Sequence, residues 1–148
     1  MKYYPYEEFR KDTRNLLLEL KDFSPDVIIC IARGGMTLGH AVAEGLNIRD
    51  VQMVRTELYD STEKREEISF FGECNLQSVS KAIILDDIAD SGETLMFVYT
   101  ALKKEFPNVD LKSATLFYKK TSVFEPDYWI NEADDWIDFF WERDFLPN

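Results

Sequence analysis

Histidine and cysteine are almost missing from this chain, and basic residues are outnumbered. There is one histidine, His40, and there are two cysteines, Cys30 and Cys74, in 148 residues. One cysteine lies in an apolar run and the other in a polar region. They make neither a metal-ligand spacing nor a disulfide framework, so a reducing cytoplasm is expected. No nucleophile is spaced to use His40, which is assigned to a helix surface or to packing rather than to catalysis. The 17 Lys and Arg face 28 Asp and Glu, a formal net charge of −11. That disfavours a nucleic-acid partner, whose phosphates need a basic face. It also means that an anionic substrate must be drawn in by a local cationic cluster against the overall field. No apolar run approaches the length of a membrane helix, so no membrane partner is expected. The opening Met1 to Arg10 is polar and acidic, unlike a secretory leader. What is present is an ordinary soluble balance, 45% hydrophobic and 30% charged residues, in a length that suits one domain with a sizeable core.

The stretch Lys81 to Leu95 organises the rest. Ala82 to Leu85 is an apolar run with no turn residue inside it, which reads as a strand buried on both faces. Two carboxylates, Asp86 and Asp87, follow at once. Asp90-Ser91-Gly92-Glu93-Thr94 is then a short polar loop. From Glu93 the apolar residues Leu95, Phe97, Val98, Ala101 and Leu102 recur at helical spacing. The unit is therefore strand, acidic pair, loop, helix, and in an open α/β sheet ligands bind where strand ends meet helix starts. A helix N-terminus leaves backbone N–H groups unpaired and partly positive, which suits a phosphate. Ser91 and Thr94 add hydroxyls, and Gly92 lets the backbone come close to the anion. Asp86 and Asp87 suit sugar hydroxyls or a Mg²⁺ ion. Together these residues fit a ribose 5-phosphate group with a metal.

Elsewhere the chain alternates helical and strand-like segments. Tyr6 to Lys21 reads as an amphipathic helix after Pro5, and Ser24-Pro25-Asp26 as a turn. Val27 to Ala32 is a second buried-type strand. It runs into Arg33-Gly34-Gly35 and an apolar helix, Met36 to Gly45, again the pattern of an anion site. Val51 to Thr56 is a further strand. Glu57 to Val79 is long and polar, a kind of segment that is functional, mobile or folded into its own hairpin. Within it Lys64 and Arg65 are candidates to approach an anionic ligand, against the plainer reading of a solvated charge run. Phe106-Pro107-Asn108 ends the helix that Glu93 begins. Leu111 to Tyr118 is a strand that ends in Lys119-Lys120. The alternation indicates an α/β fold with a mostly parallel sheet flanked by helices. Val123 to Asn148 is dense in aromatics, with Phe124, Trp129, Trp136 and Trp141 among them. It suits a small hood that stacks a flat ligand, a compact appendage or a subunit interface.

The run from Ala82 to Thr94 resembles the signature for 5-phosphoribosyl-1-pyrophosphate (PRPP) of the type I phosphoribosyltransferases: four apolar residues, two acids, two variable residues, then Asp-Thr-Gly-x-Thr. Ser91 stands where that family usually has Thr, which keeps the hydroxyl. Ala32-Arg33-Gly34-Gly35 is similar to the Ser-Arg-Gly-Gly pyrophosphate loop of the 6-oxopurine members, in which a non-proline cis peptide is often found. Leu58-Tyr59 stands where the family's catalytic loop often begins with Ser-Tyr. Lys119 and Trp136-Ile137 resemble the base-binding residues of the bacterial xanthine-guanine phosphoribosyltransferases, and Trp141-Glu142 resembles the Trp-acid pair that follows them there, with Phe140 where a proline commonly precedes that Trp.

The resemblance implies a type I phosphoribosyltransferase fold in a single domain, residues 1–148, with a core over about 1–120 and an aromatic C-terminal hood over about 121–148. A flexible catalytic loop is implied from Glu57 to Val79. The implied activity moves the 5-phosphoribosyl group from PRPP to N9 of guanine, xanthine or hypoxanthine and releases pyrophosphate. In that scheme Asp86, Asp87, Asp90, Ser91, Gly92, Glu93 and Thr94 hold the ribose 5-phosphate, and Asp86 and Asp87 organise Mg²⁺. Arg33 and Gly34 bind pyrophosphate. Lys119 donates to the purine 6-oxo group, with Lys120 the alternative if the register shifts by one. Trp136 stacks on the ring, backbone around Ile137 reads the base edge, and Asp90 is the catalytic base. A cytoplasmic homodimer or homotetramer is implied. The alternative is a PRPP-binding regulator of the same fold without transferase activity, which need not keep Lys119 or Trp136.

Overall fold

The structure is a computed structural model that describes residues 1–60 and 66–147. Its elements are β1 (Lys2–Tyr4), α1 (Tyr6–Phe23), β2 (Val27–Ala32), α2 (Met36–Leu46), β3 (Val51–Asp60), β4 (Glu66–Phe71), β5 (Lys81–Ala89), α3 (Glu93–Glu105), β6 (Asp110–Tyr118), β7 (Tyr128–Glu132), β8 (Ile137–Phe139) and α4 (Phe140–Arg143). Six strands form one sheet in the order β4-β3-β2-β5-β6-β7, and β1 and β8 form a separate pair. Within the large sheet β3, β2, β5, β6 and β7 are mutually parallel, and β4 runs antiparallel on the edge of β3.

The apolar runs of β2 and β5 are explained by two-sided burial. Successive side chains of a strand point to opposite faces. Ile28 and Cys30 of β2, with Ile83 and Leu85 of β5, pack into the layer of α1 and α2. Val27, Ile29 and Ile31, with Ala82 and Ile84, pack against Leu95, Val98 and Leu102 of α3. A central parallel strand needs apolar residues on both faces, so it reads as an unbroken run. Burial pushes the thiols of Cys30 and Cys74 up to about 11, so neither is an activated nucleophile. His40 lies on the exposed face of α2, with Nε2 3.6 Å from Glu44. No helix among the described residues is long and apolar enough to cross a membrane.

Two strand ends lie beyond those read in the sequence, each because a neighbouring strand extends the ladder, and the C-terminal stretch is organised differently. β5 does not stop at Leu85. It continues to Ala89 because β6 pairs along its length, with Asp86 opposite Thr115 and Ala89 opposite Tyr118. The acidic pair is therefore held within the ladder rather than after it. β3 continues past Thr56 to Asp60 because β4 returns beside it, Thr56 opposite Phe70 and Asp60 opposite Glu66. Within Glu57 to Val79, Glu57 to Asp60 pair antiparallel with Glu66 to Ser69, so this part is strand rather than irregular chain; Lys64 and Arg65 lie outside the described residues. The aromatic C-terminal stretch is divided between two sheets. Its first part, β7, joins the main sheet beside β6, with Ala114 opposite Tyr128. Its later part, β8, pairs in parallel with β1. Short pieces of two sheets in one stretch give no sustained periodicity.

Candidate active site

The C-terminal end of β5 feeds directly into a loop and the N-terminus of α3. Gly92 has φ of +83°, a conformation that costs glycine little. A Cβ there would lie 2.8 Å from the Phe124 amide nitrogen. The loop is tied by the Val123 N–H donating to the Ser91 carbonyl at 2.8 Å, while the Glu93 N–H donates to Ser91 Oγ at 3.2 Å. Asp86, Asp90, Ser91, Gly92 and Thr94 line a small cavity here of about 100 Å³. Glu93 is not in that lining; its contribution is the first residue of α3.

A second loop lies at the end of β2. The Ala32–Arg33 peptide is cis, a feature that the sequence left open. The Gly35 N–H donates to the Ile31 carbonyl at 2.8 Å and the Met36 N–H to the Arg33 carbonyl at 3.0 Å. Gly34 lies against the acidic pair: a Cβ on it would sit 2.5 Å from Oδ2 and 2.7 Å from Cγ of Asp87. Arg33 and Gly34 line a cavity of about 390 Å³ with Thr37, Trp141 and Glu142.

The third part is a cavity of about 490 Å³ whose lining includes Asp87, Asp90, Lys119, Trp136, Ile137 and Glu142. Lys119 directly follows β6, and its N–H donates to the Ala89 carbonyl at 3.0 Å, continuing the β5–β6 register. Its Nζ lies 3.2 Å from Asp90 Oδ1. Lys120 is directed elsewhere, with Nζ 3.6 Å from Glu132, and of the two lysines Lys119 is the one in the lining of this cavity. Trp136 is 64% exposed at the cavity, whereas Ile137 is buried. Trp141 is part of the packing: its ring stacks on Phe139 at 4.6 Å and 14° and meets Tyr4 and Phe9 edge-on.

The three cavities adjoin. Asp90 lines the first and third, and Glu142 lines the second and third. Asp134, Asp135 and Glu142 join the lining of the third cavity without having been assigned roles from the sequence. The Trp141-Glu142 pair was the available signal for Glu142. The two aspartates carry none, since acids are common throughout this chain.

The electrostatics centre on the acidic pair. Asp87 is 8% exposed and accepts the Ile88 N–H at 2.7 Å, and Asp86 accepts the Asp87 N–H at 2.9 Å. Burial first, and then the Asp87 carboxylate, push the Asp86 carboxyl well above the usual carboxylate range. Asp87 is also pushed up, by burial first and less by Glu142, against the lowering effect of its hydrogen bonds. Two acids this close resist carrying both charges without a cation. Among the described residues no group of three or more His, Cys, Asp or Glu side chains forms a metal cage. Two carboxylates beside an anion loop instead match the habit of Mg²⁺, which takes one or two carboxylates and completes its shell with water and substrate phosphates.

Comparison with known proteins places these residues in context. The model of the phosphoribosyl transferase domain matches residues 6–146. The chain is 28% identical to the xanthine-guanine phosphoribosyltransferase of Idiomarina loihiensis over 141 residues, covering 93% of this chain and 84% of the relative. Against the corresponding protein of a Ruegeria species it is 29% identical over 151 residues, covering 93% and 82%. Among solved structures, the Helicobacter pylori xanthine-guanine-hypoxanthine phosphoribosyltransferase superposes with a TM-score of 0.90 at 30% identity, covering 97% of this chain and 94% of that one. A purine phosphoribosyltransferase from Pyrococcus horikoshii superposes with a TM-score of 0.82 at 26% identity, covering 99% and 95%.

Proposed function

The chain belongs to the phosphoribosyltransferase family, with purine enzymes as its relatives, and from that premise we propose that it transfers the 5-phosphoribosyl group of PRPP to N9 of a 6-oxopurine. The products are a nucleoside 5′-monophosphate and pyrophosphate. The observation that carries this reading is the position of Asp90. It lines both the small cavity at the start of α3 and the larger cavity of Lys119 and Trp136. A group so placed faces the sugar on one side and the base on the other.

Each part has a task its chemistry suits. The amides and hydroxyls of Asp90 to Thr94 hold the 5-phosphate at the N-terminus of α3. Asp86 and Asp87 hold the ribose hydroxyls and would hold Mg²⁺. When bound, Mg²⁺ neutralises charge on the leaving pyrophosphate. Arg33 and the Gly34 backbone receive the same group. Lys119 donates to the 6-oxo oxygen, which favours a carbonyl over the exocyclic amine of adenine. An ammonium has three donors, so Lys119 can hold Asp90 and the oxygen together. Trp136 stacks on the purine, backbone at Ile137 reads its edge, and Asp90 accepts the N7 proton as the new bond forms. The stretch Glu57 to Val79 closes over PRPP and excludes water from the reacting carbon. In this reading residues 1–148 act as one domain, cytoplasmic and assembled as a homodimer or homotetramer.

The decisive experiment is a panel of purines and pyrimidines with PRPP and Mg²⁺, following pyrophosphate release. Turnover is expected with guanine, hypoxanthine or xanthine, absent with adenine, abolished by EDTA and restored by Mg²⁺. Tight PRPP binding with no turnover on any base would favour the regulatory reading. Against that reading stands the wall of Lys119 and Trp136, which a PRPP sensor does not require. Replacing Lys119 removes a charge-assisted hydrogen bond, so Lys119→Met should raise the KM for the base by about 10- to 100-fold. The KM for PRPP should change far less. Equal effects on both substrates would mean that Lys119 does not face the base.

A further inference from the structure

We propose that the N-terminal strand β1 is a positioning element of the base subsite, acting through the Lys2 main-chain N–H and the Tyr4 side chain; this rests on the transferase reading above. Three observations meet here. The first is the pairing of β1 with β8, in which Lys2 lies opposite Ile137 and Tyr4 opposite Phe139. The Lys2 N–H donates to the Trp136 carbonyl at 2.9 Å. β1 thereby takes one edge of β8, and the alternation of a parallel ladder turns the N–H and C=O of Ile137 to the opposite edge.

The second is the place of Tyr4, which is fully buried. Its ring meets Phe117 edge-on at 5.0 Å and Phe139 edge-on at 5.7 Å. Phe117 lies two residues before Lys119, and Phe139 two residues after Ile137. One ring therefore sets the spacing between β6, which Lys119 directly follows, and β8, which begins at Ile137 directly after Trp136.

The third is the anchoring of Tyr4 itself. Its hydroxyl donates to Asp12 Oδ2 at 2.7 Å, and Asn131 Nδ2 donates to the same oxygen at 2.8 Å. Asp12 is buried on α1 and Asn131 lies on β7. A buried carboxylate with two donors fixes the hydroxyl in one place, because loss of either donor would leave the buried oxygen with only one. Tyr4, Asp12 and Asn131 are not in the lining of the cavity, whereas Phe139, which the Tyr4 ring meets, is. Their effect passes through the two strands, and a supporting shell of this kind decides whether a site holds its productive geometry.

The test is Lys2→Pro, which deletes the N–H while leaving the cavity's own side chains intact, with Tyr4→Phe as a second variant that keeps the ring. Steady-state kinetics should give a KM for the purine raised about tenfold for Lys2→Pro, equivalent to one net hydrogen bond. Tyr4→Phe should move it in the same direction. The KM for PRPP should stay within about twofold for both. Thermal melts of each variant separate loss of fold from loss of positioning, and a folded Tyr4→Phe suffices if Lys2→Pro does not fold. A purine KM left unchanged, or a PRPP KM raised in parallel, would overturn the proposal. Absence of turnover in the wild-type protein would instead overturn the transferase reading and this proposal with it.

Discussion

Asp90→Asn is expected to lower kcat by about 10²- to 10⁴-fold, the range spanned by general acid–base catalysis, while PRPP affinity stays near that of the wild type. Asparagine keeps the size and shape of the side chain but cannot accept and hold a proton. The loop that carries residue 90 is held by contacts the substitution does not touch. The Val123 N–H donates to the Ser91 carbonyl and the Glu93 N–H to Ser91 Oγ. The phosphate cradle should therefore persist. The introduced amide would still accept a hydrogen bond from Lys119, but the ion pair now at 3.2 Å would be lost. Both partners of that pair are substantially exposed, so its loss should matter little for stability. The KM for the base is the parameter to watch for its effect. Single-turnover kinetics measure the chemical step, and calorimetric titration with PRPP measures the retained binding. An unchanged turnover would remove the base role from Asp90. A parallel loss of PRPP binding would make it a ligand of the sugar and nothing more.

The second large effect is expected from Gly34→Ala. The added methyl would sit 2.5 to 2.8 Å from the three carboxylate atoms of Asp87, a separation at which one side must move. Asp87 has little freedom to do so. It is buried, and its Oδ1 already accepts the Ile88 N–H at 2.7 Å. Displacement of the loop instead carries Arg33 with it. Either route disturbs the meeting of the acidic pair with the leaving-group loop. A shift of about 1 Å in such a site costs about 10²-fold, so kcat/KM for PRPP should fall by that order. Overpacking should also cost about 1–3 kcal/mol of stability, visible as a lower Tm. Binding of a nucleoside 5′-monophosphate, which uses the α3 loop and the base cavity, should be reduced much less. Wild-type kinetics in a folded Gly34→Ala protein would show that the loop and Asp87 need not touch for turnover.

Much of the candidate site was legible in the sequence. The signature from Ala82 to Thr94 could be read because its parts depend on near neighbours. A helix N-terminus exposes its own amides, a glycine frees its own φ, and the hydroxyls of Ser91 and Thr94 lie on the same loop. Arg33-Gly34-Gly35 was legible for the same reason. The ends of β3 and β5 were not, because a polar residue extends a strand when a partner strand lies beside it, and that partner is remote in sequence. Nor was the partition of the aromatic C-terminal stretch. Phe140 and Trp141 look alike in composition to Trp136, yet they pack against Tyr4, Tyr6 and Phe9 while Trp136 faces the large cavity.

From the sequence alone came the α/β class, the candidate phosphate loop with its acidic pair, and the set of residues from which a base wall would be drawn. The first two follow from interactions between near neighbours in the chain. Tertiary structure alone put Lys119 rather than Lys120 at the large cavity, because a shift of one residue in a strand turns every side chain to the other face, and the Lys119 N–H bonded to Ala89 carries that register on. It alone brought Gly34 onto Asp87, set Glu142 between two cavities, and laid β1 along β8. Those contacts join segments far apart in the chain, and nothing local to either segment encodes its partner.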